Sequence, residues 1–247
     1  MSNTAHERPS WYALRTRGTL SDIVNLLHPP YTLWHLSYVL LGISLSPKIY
    51  FDRSVAVMVA FFLGLGIGAH ALDETMGSPL RTRISKKRLY AIGFSALTAA
   101  VSIGLYYAFS LSLFLIPVII AEAFFALVYN LEMFGSAFHT TFVFALSWGV
   151  IPFVAGYFLN SLSLSLEAVL ASIAVYLLTF VQRTLSLQAR HFRRDFQVSV
   201  ESLKLSSGEE IRTTTSELIS PAERSLKALS AMVFVLALAL IIQRLIA

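Results

Sequence analysis

The run His70-Ala71-Leu72-Asp73-Glu74 is the densest polar cluster in a largely apolar chain. His70 lies three residues from Asp73 and four from Glu74, so on a helix all three share one face. Carboxylates with few imidazoles suit Mg²⁺, and more histidine would tilt the set toward Zn²⁺ or Fe²⁺. Arg81, Arg83, Arg190 and Arg194 add guanidinium groups, whose planar forks match the oxygens of a diphosphate. Carboxylate, divalent cation and arginine together form a phosphoryl-binding set. The same residues also suit an ordinary helix end whose charges sit among lipid headgroups.

Other ionisable groups recur inside or beside apolar stretches, where each marks a site by default. Glu122 has no basic neighbour within its own helix, so it is either neutral or paired with a cation, a metal or a histidine. Asn130 and Glu132 follow it, then His139, and His191 and Asp195 come later. Trp34 and His35 read equally as interface anchors, and His139 as a donor of one hydrogen bond across helices.

These groups need elements to hold them. The chain has 247 residues, 56% apolar and 13% charged, with a mean hydropathy of +0.68. Soluble domains carry about 25% charged residues, so neither a soluble enzyme nor a disordered chain fits. Seven apolar stretches occur, at 31–47, 54–73, 89–108, 111–129, 137–158, 165–187 and 224–246. A span needs about 20 residues, so the expected fold is all-α, a polytopic transmembrane bundle of about seven spans. Residues 1–30 read as a cytoplasmic arm with an interfacial helix at 19–27, and 31–247 as the bundle, with cytoplasmic loops at 74–88 and 188–223. A helix is expected at 189–204, either a second amphipathic helix at the interface or a continuation of the sixth span, and the last span is expected to start at Ser220 with Pro221 in its first turn. Gly64-Leu65-Gly66-Ile67-Gly68 reads as a close helix contact.

The basic residues set the orientation. They gather in the arm, in the loop after the second stretch and in the loop after the sixth, which includes Arg183. That places the N-terminus and the polar cluster on the cytoplasmic side of an integral membrane protein. It also accounts for the net charge of +5 without nucleic acid as a partner. The first 30 residues lack a signal-peptide core, so the first span is expected to direct insertion. Cysteine is absent, which excludes disulfides, thiolate metal sites and cysteine nucleophiles.

Polar clusters after the second and sixth spans resemble those of the UbiA superfamily of intramembrane prenyltransferases. Several strings are similar to that family's: His28-Pro29-Pro30-Tyr31, the stretch Gly77 to Ser85, Tyr129-Asn130, and Ser147-Trp148-Gly149 with Pro152, Gly156 and Tyr157. The resemblance covers residues 20–230. Of the family's first Asp-rich motif only the central Asp73 survives, with Glu74 beside it, and the second motif is reduced to Asp195. The family has nine spans, which leaves room here for a second copy or a partner subunit.

The resemblance implies transfer of a prenyl group from a prenyl diphosphate to a lipid-soluble acceptor among the membrane lipids. It implies Mg²⁺ on Asp73, Glu74 and Asp195, with His70, Asp73 and Glu122 in catalytic roles. Arg81, Arg83, Asn130, His139, Arg190 and Arg194 would bind substrate, and Tyr38, Phe125 and Trp148 would line the prenyl tunnel. Two other readings stand beside it. One is a His/carboxylate Zn²⁺ or Fe enzyme acting on lipid, and the other a non-catalytic carrier of prenyl lipid.

Overall fold

The computed structural model describes residues 10–14, 18–135, 137–195, 201–204, 206–213 and 215–246. A short helix, α1 (Thr19–Leu26), leads into seven longer ones. These are α2 (Pro29–Leu45), α3 (Phe51–Thr75), α4 (Lys86–Ser110), α5 (Leu115–Asn130), α6 (Thr141–Ser161), α7 (Leu166–Asp195) and α8 (Thr215–Ile246). Each of the seven apolar stretches falls on one of these helices. Five of them, α3, α4, α6, α7 and α8, are long and apolar enough to cross a membrane. Helices α2 and α5 are shorter, at 17 and 16 residues.

Local signals set several helix starts. Thr140 caps α6 by accepting from the Val143 amide at 3.2 Å, and Ser165 caps α7 through the Ala168 amide at 3.3 Å. Pro29 and Pro30 open α2, where their missing N–H groups need no partner.

Helix α2 is the bundle's axis: ten of its 17 residues are buried. It packs most closely on α6 and α8. The α2–α6 crossing depends on Gly42 and Gly156, where a Cβ would overlap the facing backbone of Phe153 and of Val39. Trp34 and Tyr38 fill the α2–α8 side with Phe153, Val175 and Val233. Trp34 is therefore a core residue rather than an interface anchor. Elsewhere the outer faces of α4, α7 and α8 carry Phe109, Leu170, Ile173, Leu177, Val235 and Ile242 in the open. Exposed apolar surface on this scale suits lipid as the solvent.

Of the expected 189–204 helix the part to Asp195 is a continuation of the sixth span, and two points are corrected, its extent and the start of the last helix. Helix α7 runs on unbroken to Asp195, and Glu201–Lys204 is then a strand paired antiparallel with Glu210–Thr213. Gly208, at φ +87°, lies in the hairpin turn between them, a backbone state that glycine adopts freely. The last helix begins at Thr215, so Pro221 lies inside it.

At the end far from the polar cluster, Arg244 donates to the carbonyls of Ser46 and Pro47 at 3.0 and 2.9 Å. This closes the C-terminal end of α2 with a cation. Helix α1 turns Ser21 and Asn25 inward and leaves Leu20 and Ile23 exposed. An apolar face turned away from the protein suits the membrane interface.

Candidate functional site

Two helices change pitch where the site lies. Residues Phe62–Ala69 of α3 and Leu146–Val150 of α6 wind as π-helix, a feature that recurs at functional sites. An imidazole meets a backbone carbonyl in each wide turn. His35 Nδ1 lies 2.7 Å from the Trp148 carbonyl, and His70 Nδ1 lies 3.2 Å from that of Gly66. A carbonyl only accepts, so Nδ1 carries the proton in both rings and Nε2 keeps its lone pair. The glycines at 64, 66 and 68 thus belong to the segment that positions His70. Gly68 and Gly64 also pack against Leu97 and Ala100 of α4.

His28 stacks on His70, with ring centroids 4.1 Å apart. Its backbone is left-handed at φ 45°, directly before Pro29. That conformation costs a residue with a Cβ about 1–3 kcal/mol and clusters at functional sites. Burial pushes the His28 imidazole well below its usual pKa, and the neighbouring His70 and Arg190 act in the same direction. The N-terminal arm closes over this pair. Tyr12 packs 5.6 Å from His28 and 5.5 Å from Tyr31, its hydroxyl raised in pKa chiefly by burial. The Leu14 amide donates to Asn25 Oδ1 of α1 at 2.8 Å, which fixes the arm.

Helix α7 supplies the cations. Arg183 is only 4% exposed. Its Nη2 donates to His139 Nε2 at 3.2 Å, and its guanidinium carbon lies 4.7 Å from the Phe144 ring and 5.8 Å from Tyr129. His139 itself stacks on Tyr129 at 4.2 Å. Because Arg183 donates to Nε2, His139 is neutral with its proton on Nδ1, and burial followed by the Arg183 charge lowers its pKa. No carboxylate among the described residues lies within ion-pair reach of Arg183. Asp73 is the carboxylic residue that shares its cavity with Arg183 and Arg190. One helical turn further on, Arg193 is paired with Glu223 of α8.

These side chains enclose one cavity of about 120 Å³ at the polar end of the bundle. His28, His35, His70, Asp73, Asn130, His139, Arg183 and Arg190 line it, and Tyr129, Phe144 and Trp148 form an aromatic wall. Six buried polar atoms on its walls have no hydrogen-bond partner among the described residues: Ser10 Oγ, Trp11 Nε1, His28 Nε2, Tyr129 OH, Gln182 Oε1 and Arg183 Nε. Buried polar groups are normally paired, so this concentration marks a place for a polar ligand. The positive Arg183 and Arg190 make it suited to an anion.

Of the residues expected at the site, His70, Asp73, Asn130, His139 and Arg190 do come together. Glu74 does not. It is 1% exposed, and its two oxygens accept the Leu80 and Thr82 amides at 2.9 and 2.8 Å. It anchors the 76–85 loop instead of facing the cavity. Glu122 lies in a second, apolar cavity between α3, α4 and α5. Arg81 is exposed outside the cavity, and Arg83 pairs with Asp22 of α1 at 3.1 Å. The side chains of Arg194 and Asp195 lie outside the described residues. Of the expected tunnel aromatics only Trp148 lines the cavity; Tyr38 is core, its hydroxyl accepting from Thr179 at 3.0 Å.

The described donors do not fit a Mg²⁺ cage. Mg²⁺ wants octahedral oxygen ligands, whereas Asp73 is the one described carboxylate here that is not already paired, and it shares the cavity with guanidinium groups. No group of three or more His, Asp or Glu side chains among the described residues could hold a metal ion.

Sequence reasoning missed Arg183, His28 and Gln182. Arg183 was counted as a loop cation that set orientation, although it falls inside the 165–187 stretch. A charge within an apolar stretch is itself the signal that finds it. Comparison with protein-family models, with curated proteins and with solved structures finds no match to this chain.

Proposed function

We propose that the protein is a UbiA-like intramembrane prenyltransferase of seven spans whose polar cavity, on the cytoplasmic side, receives the diphosphate head of a prenyl donor. Arg183 carries this reading. A guanidinium group buried in a membrane bundle, without a carboxylate partner among the described residues, is costly unless an anion completes it. Its Nε is free toward the cavity, and rings on two sides hold its plane.

In this reading Arg183 and Arg190 bind the diphosphate. The allylic C–O bond breaks with its electron pair leaving on the diphosphate, whose growing charge the two guanidinium groups take up. The carbocation faces Tyr129, Phe144 and Trp148, whose ring faces attract a cation. An acceptor nucleophile then bonds to the allylic carbon and gives its proton to His70 Nε2. Asp73 balances the arginine charge and orients Arg190. No metal enters these steps.

Binding of geranylgeranyl diphosphate to purified protein tests the proposal, read by thermal stabilisation with Mg²⁺ and with chelator. Ligand at 100 times its dissociation constant adds about 2.7 kcal/mol. The expected result is stabilisation that survives the chelator and is lost in Arg183→Gln. Absence of binding in the wild type under both conditions overturns the proposal. The non-catalytic carrier remains a second reading, favoured by the single unpaired carboxylate in the cavity. Binding without release of diphosphate in acceptor-containing membranes selects the carrier.

A further inference from the structure

The second cavity, about 100 Å³, lies between α3, α4 and α5 and is almost wholly apolar. Small residues leave the space: Ala60 and Gly64 from α3, Ala100 and Gly104 from α4, Ala123 and Ala126 from α5. Val101, Gly104, Val118 and Ile119 on its rim are half-exposed, so it opens on the flank of the bundle between α4 and α5. In a membrane that flank faces lipid. The polar exception is Glu122, whose carboxyl oxygens are both buried and have no hydrogen-bond partner among the described residues. Leu65 lines this cavity and the polar one alike.

A lone carboxyl in an apolar cavity is held at a cost unless something hydrogen-bonds to it. None of the described residues does so. Replacing Glu122 by an apolar residue would remove that cost, so the carboxyl is explained by a ligand that meets it. Lipid is the only medium that reaches the opening, so the ligand is lipid-soluble. Two head groups would satisfy the acid, a hydroxyl or an amine. An ammonium–carboxylate pair must be fully desolvated here, with no further polar group to complete it, and such pairs often lose more than they gain. A neutral hydroxyl needs only one or two hydrogen bonds.

We infer that the cavity between α3, α4 and α5 is a binding site for a lipid-soluble alcohol, its hydroxyl on Glu122 and its hydrocarbon tail passing out between α4 and α5. Water is about 30 Å³ in the liquid, so the cavity itself takes the head and the first few carbons, and the rest of the tail lies in the bilayer. The inference stands independently of prenyl transfer, since Glu122 and the apolar walls around it bind no diphosphate.

The test uses the full chain in lipid nanodiscs, titrated with farnesol, with farnesene as the head-free hydrocarbon and with farnesylamine as the cationic head. Two readouts apply: thermal stability, and the infrared carbonyl band identified by its loss in Glu122→Gln. Farnesol is expected to shift that band and raise the unfolding temperature, while farnesene does neither. Ala123→Phe, which fills the cavity and keeps the carboxyl, should abolish both responses. Glu122→Leu should be more stable than wild type without ligand and should not respond to farnesol. Equal stabilisation by farnesene and farnesol reduces the cavity to an apolar hole and overturns the site. A band unmoved by farnesol but changed by farnesylamine overturns the alcohol and assigns an amine. Either result leaves binding at the Arg183 cavity untouched.

Discussion

At the scale of single residues, the site works by leaving groups unpaired in controlled places. Arg183 is oriented by His139 and two rings yet keeps Nε free, and His70 keeps a lone pair on Nε2 because its Nδ1–H donates to the Gly66 carbonyl. Hydrogen bonds to charged groups contribute about 1.5–3 kcal/mol, and each 1.4 kcal/mol is about tenfold in affinity. Arg183→Gln is therefore expected to weaken binding of a prenyl diphosphate roughly 10- to 100-fold. Arg183→Lys should restore only part, because an ammonium lacks the planar fork. Equilibrium binding of a fluorescent prenyl diphosphate in detergent measures both.

His28 and His139 also make stability depend on pH. Both pKa values are lowered in the folded state, mainly by burial, so the unfolded chain binds more protons at acid pH. Their contribution is present above the unfolded pKa of about 6.5 and is lost as pH falls below it. The unfolding temperature should drop between pH 7.5 and pH 5. His28→Asn should flatten that slope, since asparagine accepts the left-handed backbone and does not titrate. Coincident slopes for variant and wild type would show that His28 plays no part.

At the scale of elements, the site depends on helices that deviate locally from regular geometry. The π segments in α3 and α6 aim His70 and Trp148, and the α2–α6 crossing brings His35 to the Trp148 carbonyl. Gly156→Ala pushes a methyl into the Val39 backbone. Overpacking of this kind costs about 1–3 kcal/mol. A lower unfolding temperature, with diphosphate affinity falling in parallel, would tie the crossing to the site. Glu74 acts on the loop. Glu74→Ala strands two buried amides, at about 1–3 kcal/mol each. Limited proteolysis should then cut within residues 76–85, while diphosphate affinity in the presence of chelator stays near wild type. A selective loss of Mg²⁺-dependent binding would instead return Glu74 to the metal-ligand role.

At the scale of the whole molecule, charge is divided between the two ends. The polar cavity and most arginines share one end, and Lys48, Arg53 and Arg244 occupy the other. Because the chain has no cysteine, single reporters can be read directly. Lys86→Cys and Ser163→Cys lie in exposed positions at opposite ends of the bundle. In inverted and right-side-out vesicles, an impermeant thiol reagent is expected to reach residue 86 only from the cytoplasmic side and residue 163 only from the other. Labelling of both from one side would overturn the proposed topology.

The division between sequence and structure follows from the range of the forces involved. Apolar runs of helical length, Thr and Pro at helix starts, and the restriction of ionisable groups to a few places are local properties. They determined an apolar helical bundle, its seven longer helices and the approach of Asp73, His70, Asn130, His139 and Arg190 to one end. Which way a carboxylate turns depends on neighbours far along the chain. Glu74 was claimed by loop amides six and eight residues on, and Glu122 by a cavity that α3, α4 and α6 help to build. Arg183 entered the site because the His139 and Phe144 side chains from the α5–α6 region packed over it. The π turns likewise have no local signature beyond the glycines at 64, 66 and 68, since a widened turn holds only where a partner such as His35 takes up the carbonyl it frees.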